Sequence, residues 1–187
     1  RDRDRDSWVC ELQGKRDLHR RWWLANRFAL YDSILVSGDY KSNTIEIKPI
    51  DSTPAGQQFT ITSGYPIHYG YGINNLLRER TDAVLEVDDS KTFIIQTALS
   101  LGDPIDIYGA PYVKSLDLSL MMDRLQSLDI SGAYLESLGT RLETLIVGSR
   151  EKENITMTTI SGLANATNLA VLNVENMKAM KSLNLSN

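Results

Sequence analysis

The spacing of apolar residues changes twice along the chain. From Lys15 to Leu35, Leu18, Trp22, Ala25 and Ala29 recur at helical spacing, Phe28 and Tyr31 widen the stripe, and Asp17 stands where a helix dipole favours negative charge. After Gly38 the helical period disappears and short stretches alternate. Thr44–Ile50 places Ile45 and Ile47 on one face, and Gln58–Thr62 does the same with Phe59 and Ile61. Ala83–Val87, Thr92–Thr97 and Ile105–Tyr108 read as three further strands, with turn residues at Asp51–Gly56 and Asp88–Lys91. Pro49 demotes the end of the first strand to an edge. From Val113 onward one phrase recurs: VKSLDLS (Val113–Ser119), LQSLDIS (Leu125–Ser131), LETLIVG (Leu142–Gly148), LAVLNVE (Leu169–Glu175) and MKSLNLS (Met180–Ser186). Each is an apolar residue, two variable ones, Leu, a spacer, and Leu, Ile or Val. Alternate residues of a strand share a face, so Leu116 with Leu118, Leu128 with Ile130, Leu145 with Val147, Leu172 with Val174 and Leu183 with Leu185 point inward. Asp117 and Ser119 point out. One such unit cannot bury its apolar face alone, so units must stack.

The steps between the central leucines are uneven: 12 residues from Leu116 to Leu128, 17 to Leu145, 27 to Leu172 and 11 to Leu183. The short steps read as half-turns, with one short strand on each side of a winding chain. The longest step contains Gly148–Ile160, a charged stretch expected to leave the winding. The phrases match the LxxLxL core of a leucine-rich repeat, and their short, irregular steps resemble repeats of surface and phage proteins of the Bacteroidetes. The fold this implies is mainly β: an N-terminal helix, a short antiparallel β module, then an irregular leucine-rich-repeat-like solenoid. The divisions are 1–36, 37–110 and 111–187, and Ile105–Tyr108 is expected to cap the first turn of the repeats.

The chain has 187 residues, a net charge of −4 and one cysteine, Cys10. The single cysteine excludes an internal disulfide framework, and Cys10, His19 and His68 have no zinc spacing. No apolar run approaches the roughly 18 residues of a membrane span, and the mild acidity argues against nucleic acid as the main ligand. The opening RDRDRD reads as a solvated tether, or as a strand wedged between neighbouring chains, and Ser7–Gln13 as a short strand. The absence of an initial Met and of a polar cap after the last phrase predicts a segment of a longer polypeptide.

The helix from Lys15 carries a second face of Arg20, Trp23 and Arg27, with Arg21 beside it. It reads either as a basic aromatic grip or as a packing helix with arginine stems lying over its aromatics. KRDLHRRWWLANRFALYDS (Lys15–Ser33), followed by SGDYKSNTIEIKP, resembles a segment of the tail-tip, muzzle-type structural proteins of short-tailed, crAss-like gut bacteriophages. That resemblance covers roughly 15–112. It implies a virion protein at the tail, with copies of itself and neighbouring tail proteins as partners and no catalytic residue to carry over. Gly64–Asn75 reads as a loop in which Tyr65, Tyr69 and Tyr71 offer rigid contact area, or as an arch whose tyrosines cover the end of a sandwich.

Nothing in the sequence spells out chemistry. Asp88 and Asp89 would point to opposite faces of a strand, Asp103 and Asp106 sit near a turn, and neither a P-loop nor a GxSxG elbow is present. Asn154-Ile155-Thr156 and Asn165-Ala166-Thr167 match a glycosylation triplet. The expectation is therefore a non-enzyme without cofactor or metal, a phage tail-tip component acting through Arg20, Arg21, Trp23, Tyr65, Tyr69 and Tyr71. The rival is a bacterial cell-surface or secreted repeat protein that holds a host protein or glycan. A third reading is a carbohydrate-active enzyme whose catalytic domain lies elsewhere.

Overall fold

Alternation in the sequence becomes two mixed β-sheets. The computed structural model describes residues 43–63, 68–71, 89–134 and 140–185. Its strands are β1 (Thr44–Pro49), β2 (Gln58–Ser63), β3 (His68–Tyr71), β4 (Asp89–Ile94), β5 (Ile105–Tyr108), β6 (Val113–Asp117), β7 (Leu125–Asp129), β8 (Thr144–Ile146), β9 (Ile160–Ser161) and β10 (Val171–Asn173). One sheet has the order β3-β5-β1-β7-β9 and the other β10-β8-β6-β2-β4. The described chain is thus mainly β, joined by 3-10 segments such as Ser119–Arg124 and Leu163–Asn165. The expected helix at Lys15–Leu35, the strands at Ser7–Gln13 and Ala83–Val87, and Arg20, Arg21, Trp23 and Tyr65 lie outside the described residues.

From Val113 the chain passes alternately between the sheets. β6, β8 and β10 pair in parallel in one, with Leu116, Leu145 and Leu172 in register. β7 and β9 pair in parallel in the other, with Leu128 opposite Ile160. A separate leucine-rich-repeat-like solenoid over 111–187 is not found. The repeat strands complete the same two sheets as the strands before them, because β1 and β2 pair antiparallel with β7 and β6. These two strands supply the edge partners that β5 was expected to supply. β5 instead pairs with β1 and β3.

The inward faces form one apolar cluster that runs from Ile45 to Met177. Ile45, Ile47, Phe59, Ile61, Leu116 and Leu145 are all fully buried, as the period of two requires. Burying apolar surface at about 25 cal/mol per Å² is the main force holding the sheets face to face.

Two local expectations are corrected, and a third holds. Pro49 lies where β1 keeps a partner on one side only: the pairing with β5 ends at Ile47↔Ile105, and toward β7 the register shifts between Lys48 and Pro49. The fourth strand begins at Asp89, not Thr92, and pairs with β2 from Ser63↔Asp89 to Gln58↔Ile94. Hydroxyl pairs hold its outer face, Thr60 to Thr92 at 2.9 Å and Thr62 to Ser90, so residues resembling a turn are the polar half of a strand. Part of the expected Gly64–Asn75 loop is also a strand. Tyr69 pairs with Ile107 and Tyr71 with Ile105 on β5.

Close backbone approach sets where the turns may stack. A Cβ at Gly132 would lie 2.2 Å from the Thr44 carbonyl oxygen and 2.4 Å from its nitrogen. Both atoms are backbone, so neither can rotate away. Gly132→Ala should therefore cost about 1–3 kcal/mol through overpacking and lower the melting temperature by roughly 5 °C. A calorimetric scan with no shift would contradict this packing.

Candidate functional site

The polar spacers of the repeat phrases are corner pieces. Asp117 Oδ1 accepts from the Ser119 N–H at 2.9 Å, and Asp129 Oδ1 accepts from the Ser131 N–H at 2.9 Å and its hydroxyl at 2.6 Å. Asn173 Oδ1 accepts from the Glu175 N–H at 2.9 Å. Short Asp and Asn side chains satisfy backbone donors two residues on and so turn the chain out of a strand. Asp117, pointing away from the buried Leu116 and Leu118, is half-buried and engaged in this turn. Asp103 works similarly, accepting from the Ser100 N–H and hydroxyl at 3.0 and 2.8 Å. These acidic groups serve local structure.

Asn154 ties three successive levels together. Its side chain is 1% exposed. Nδ2 donates to the carbonyls of Met122 at 2.7 Å and Leu125 at 2.9 Å, while Oδ1 accepts from the N–H groups of Thr156 at 3.0 Å and Met157 at 2.8 Å. Its own N–H donates to the Asn176 carbonyl, and its carbonyl accepts from the Lys178 N–H. The segment Gly148–Ile160 is therefore no excursion. It is bolted to the turns on both sides. The same geometry closes Asn154 as a glycosylation acceptor in the folded chain, whereas Asn165 of the second triplet is exposed.

The other candidate feature is the end of the second sheet at β10. Leu116 and Leu145 are fully buried, but Leu172 in the same row is only half-buried and neighbouring Val171 is 49% exposed. A cleft of about 320 Å³ opens beside them, lined by Leu163, Ala166, Leu169, Leu172 and Leu185. A second, of about 270 Å³, lies between Val174, Met177, Met180 and Leu183. Leu183 and Leu185, expected inward, reach no strand here. Leu183 is half-buried and Leu185 is 55% exposed, since no described strand stacks beyond them.

No family model, curated protein or solved structure matches the chain.

Of the residues expected to make contacts, Tyr69 and Tyr71 lie on β3, the edge strand of the first sheet, and the structure brings neither to the β10 end. Among the described residues no group of three or more His, Cys, Asp or Glu could hold a metal ion. Among them, too, no helix is long and apolar enough to cross a membrane. The Asn154 node and the β10 end were both missed from sequence. The signal for the first was present in Met157-Thr158-Thr159-Ile160-Ser161-Gly162, which is the repeat phrase with glycine in its last inward slot.

Proposed function

We propose that this chain is a non-enzymatic structural component of a bacteriophage tail tip, a piece of virion that works by contact with other polypeptides. The observation that supports this most directly is the β10 end, where the half-buried Leu172, an apolar cleft and a strand at the end of its sheet among the described residues come together. Exposed apolar surface beside a strand edge suits association. The likeness of Lys15–Tyr112 to muzzle-type tail proteins supplies the setting. The likeness of the LxxLxL phrases to leucine-rich repeats fits the alternation of half-turns between two sheets, a scaffold that presents extended surface. The Asp and Asn groups of the phrases are engaged in corner turns, which favours a scaffold over a catalyst.

The reading is tested by gold labelling of a tagged copy in purified phage particles. Label at the tail tip is the expected result. Particles that carry no label, with the protein recovered from the bacterial envelope, would overturn it in favour of a cell-surface binding protein. A turnover by the isolated chain that disappears on a single Asp or His substitution would also overturn it.

A further inference from the structure

We infer that the outer face of the first sheet, the side turned away from the second sheet, is the seat of the chain's own Lys15–Leu35 segment, held there as a helix with its apolar stripe down and Arg20, Trp23 and Arg27 turned outward. The inference goes beyond the tail-tip reading and does not depend on it.

Burial is the first reason. Ile45, Ile47, Ile105 and Ile107 fill the inner face, so Thr44 and Tyr108, out of phase with them and directly opposite each other, point to the outer one. Side chains there should meet water, yet Thr44 is 7% exposed and Tyr108 only 1%. The second sheet behaves differently. Its outward Thr60, Thr62 and Ser115 are half-buried, and Ser90 and Thr92 are exposed. The second sheet packs on the inner face of the first and cannot shield side chains on the outer one. Another part of the chain therefore lies over Thr44 and Tyr108.

Charge is the second. Asp106, Glu46 and Asp129 stand side by side on β5, β1 and β7, a row across the outer face. Like charges directly opposite one another are destabilising. Lys48 meets Glu46 at 3.9 Å, and Asp129 is committed to the Ser131 turn. A cationic cover relieves the row. Between Lys15 and Tyr31 the chain has five basic residues, Lys15, Arg16, Arg20, Arg21 and Arg27, against one aspartate.

Connectivity is the third. Residues 36–42 lead from this segment directly toward β1, the middle strand of the first sheet, and elements consecutive in sequence are usually neighbours in space. An amphipathic helix must bury its stripe against another layer. About 30 Å of helix is enough to cross five strands spaced about 4.8 Å apart. With Leu18, Trp22 and Ala25 over Tyr108, Lys15 and Arg21 flank the stripe on its two sides and reach the acidic row. At about 3.6 residues per turn, Arg20, Trp23 and Arg27 fall on the opposite side.

The chain's three tryptophans, Trp8, Trp22 and Trp23, all precede β1, so their emission reports on this part of the chain alone. In the intact chain, a variant that keeps only Trp22 (Trp8→Phe with Trp23→Phe) should emit at shorter wavelength and resist acrylamide. One that keeps only Trp23 (Trp8→Phe with Trp22→Phe) should emit at longer wavelength and be quenched. Glu46→Lys with Asp106→Lys should raise quenching of Trp22 at least about twofold, because attraction at the seat becomes repulsion. Should that pair fail to give a cooperative melt, Glu46→Gln with Asp106→Asn reads the same loss. Glu143→Lys, an exposed reversal beside β8, should leave Trp22 shielded. Trp22 as accessible as Trp23, or Trp23 the shielded one, would overturn the inference. So would shielding indifferent to the changes at Glu46 and Asp106, which would put the seat elsewhere, or shielding lost on dilution, which would make the cover a second copy.

Discussion

Leu128→Asp should abolish the cooperative thermal melt of the chain. Leu128 is 1% exposed and sits in β7, opposite Ile47 on one side and Ile160 on the other. A carboxylate there is surrounded by the apolar cluster that spans both sheets, and it gains no compensating cation. A buried unpaired charge costs more than about 4 kcal/mol, against a total stability of about 5–15 kcal/mol for a domain. Leu128→Ala separates charge from lost packing and should cost about 2–5 kcal/mol, leaving a cooperative transition at lower temperature. Circular dichroism against temperature reads both. If the Asp variant melted like the parent, the assignment of inward faces in β7 would be wrong.

Asn154→Ala should be the most damaging replacement of a polar side chain among the described residues. It leaves the N–H groups of Thr156 and Met157 without their side-chain acceptor and removes one donor from the carbonyls of Met122 and Leu125, which keep the Leu125 N–H and the Thr156 hydroxyl. Buried groups left unmet cost about 1–3 kcal/mol each, and partial relaxation brings the expected total to about 3 kcal/mol. Asn154→Asp discriminates donor from acceptor. It keeps the bonds to the N–H groups but aims a carboxylate oxygen at two carbonyls, so it should be at least as destabilising as Ala. Urea midpoints measure this, and amide exchange at Met157 should accelerate in both variants. An Asp variant as stable as the parent would show that the two donated bonds contribute nothing.

The sequence made the inward faces legible wherever the period of two was carried by large side chains. Ile45 and Ile47, Phe59 and Ile61, and the leucines at 116, 128 and 145 are buried as their alternation demands. It was silent where polar residues or glycine occupy slots that other strands fill with apolar ones. The first half of β4 passed for a turn because Lys91 stands opposite the buried Ile61 and Ser90 bonds across to Thr62 on the outer face. The phrase Met157–Gly162 was hidden because its last inward slot holds Gly162, where a Cβ would lie 2.4 Å from the Ser131 nitrogen. That omission turned steps of 15 and 12 residues, Leu145 to Ile160 to Leu172, into one apparent step of 27. Pairing across long separations was equally hidden. That β1 and β2 would close the repeat strands is fixed by contacts between residues far apart in the chain, such as Ile47 with Leu128, 81 residues on, and Ile61 with Leu116, 55 residues on. Of the candidate site, the strand of Tyr69 and Tyr71 read as a loop because glycines on either side look like turn signals. The β10 end was readable only as an open-ended row of leucines.

The proposed role in a tail assembly is open to one decisive measurement: mass photometry of the intact protein, with its copy number counted in purified particles. A closed ring or a fixed number of copies in the tail is the expected result. A monomer absent from particles and displayed on the cell envelope would contradict it.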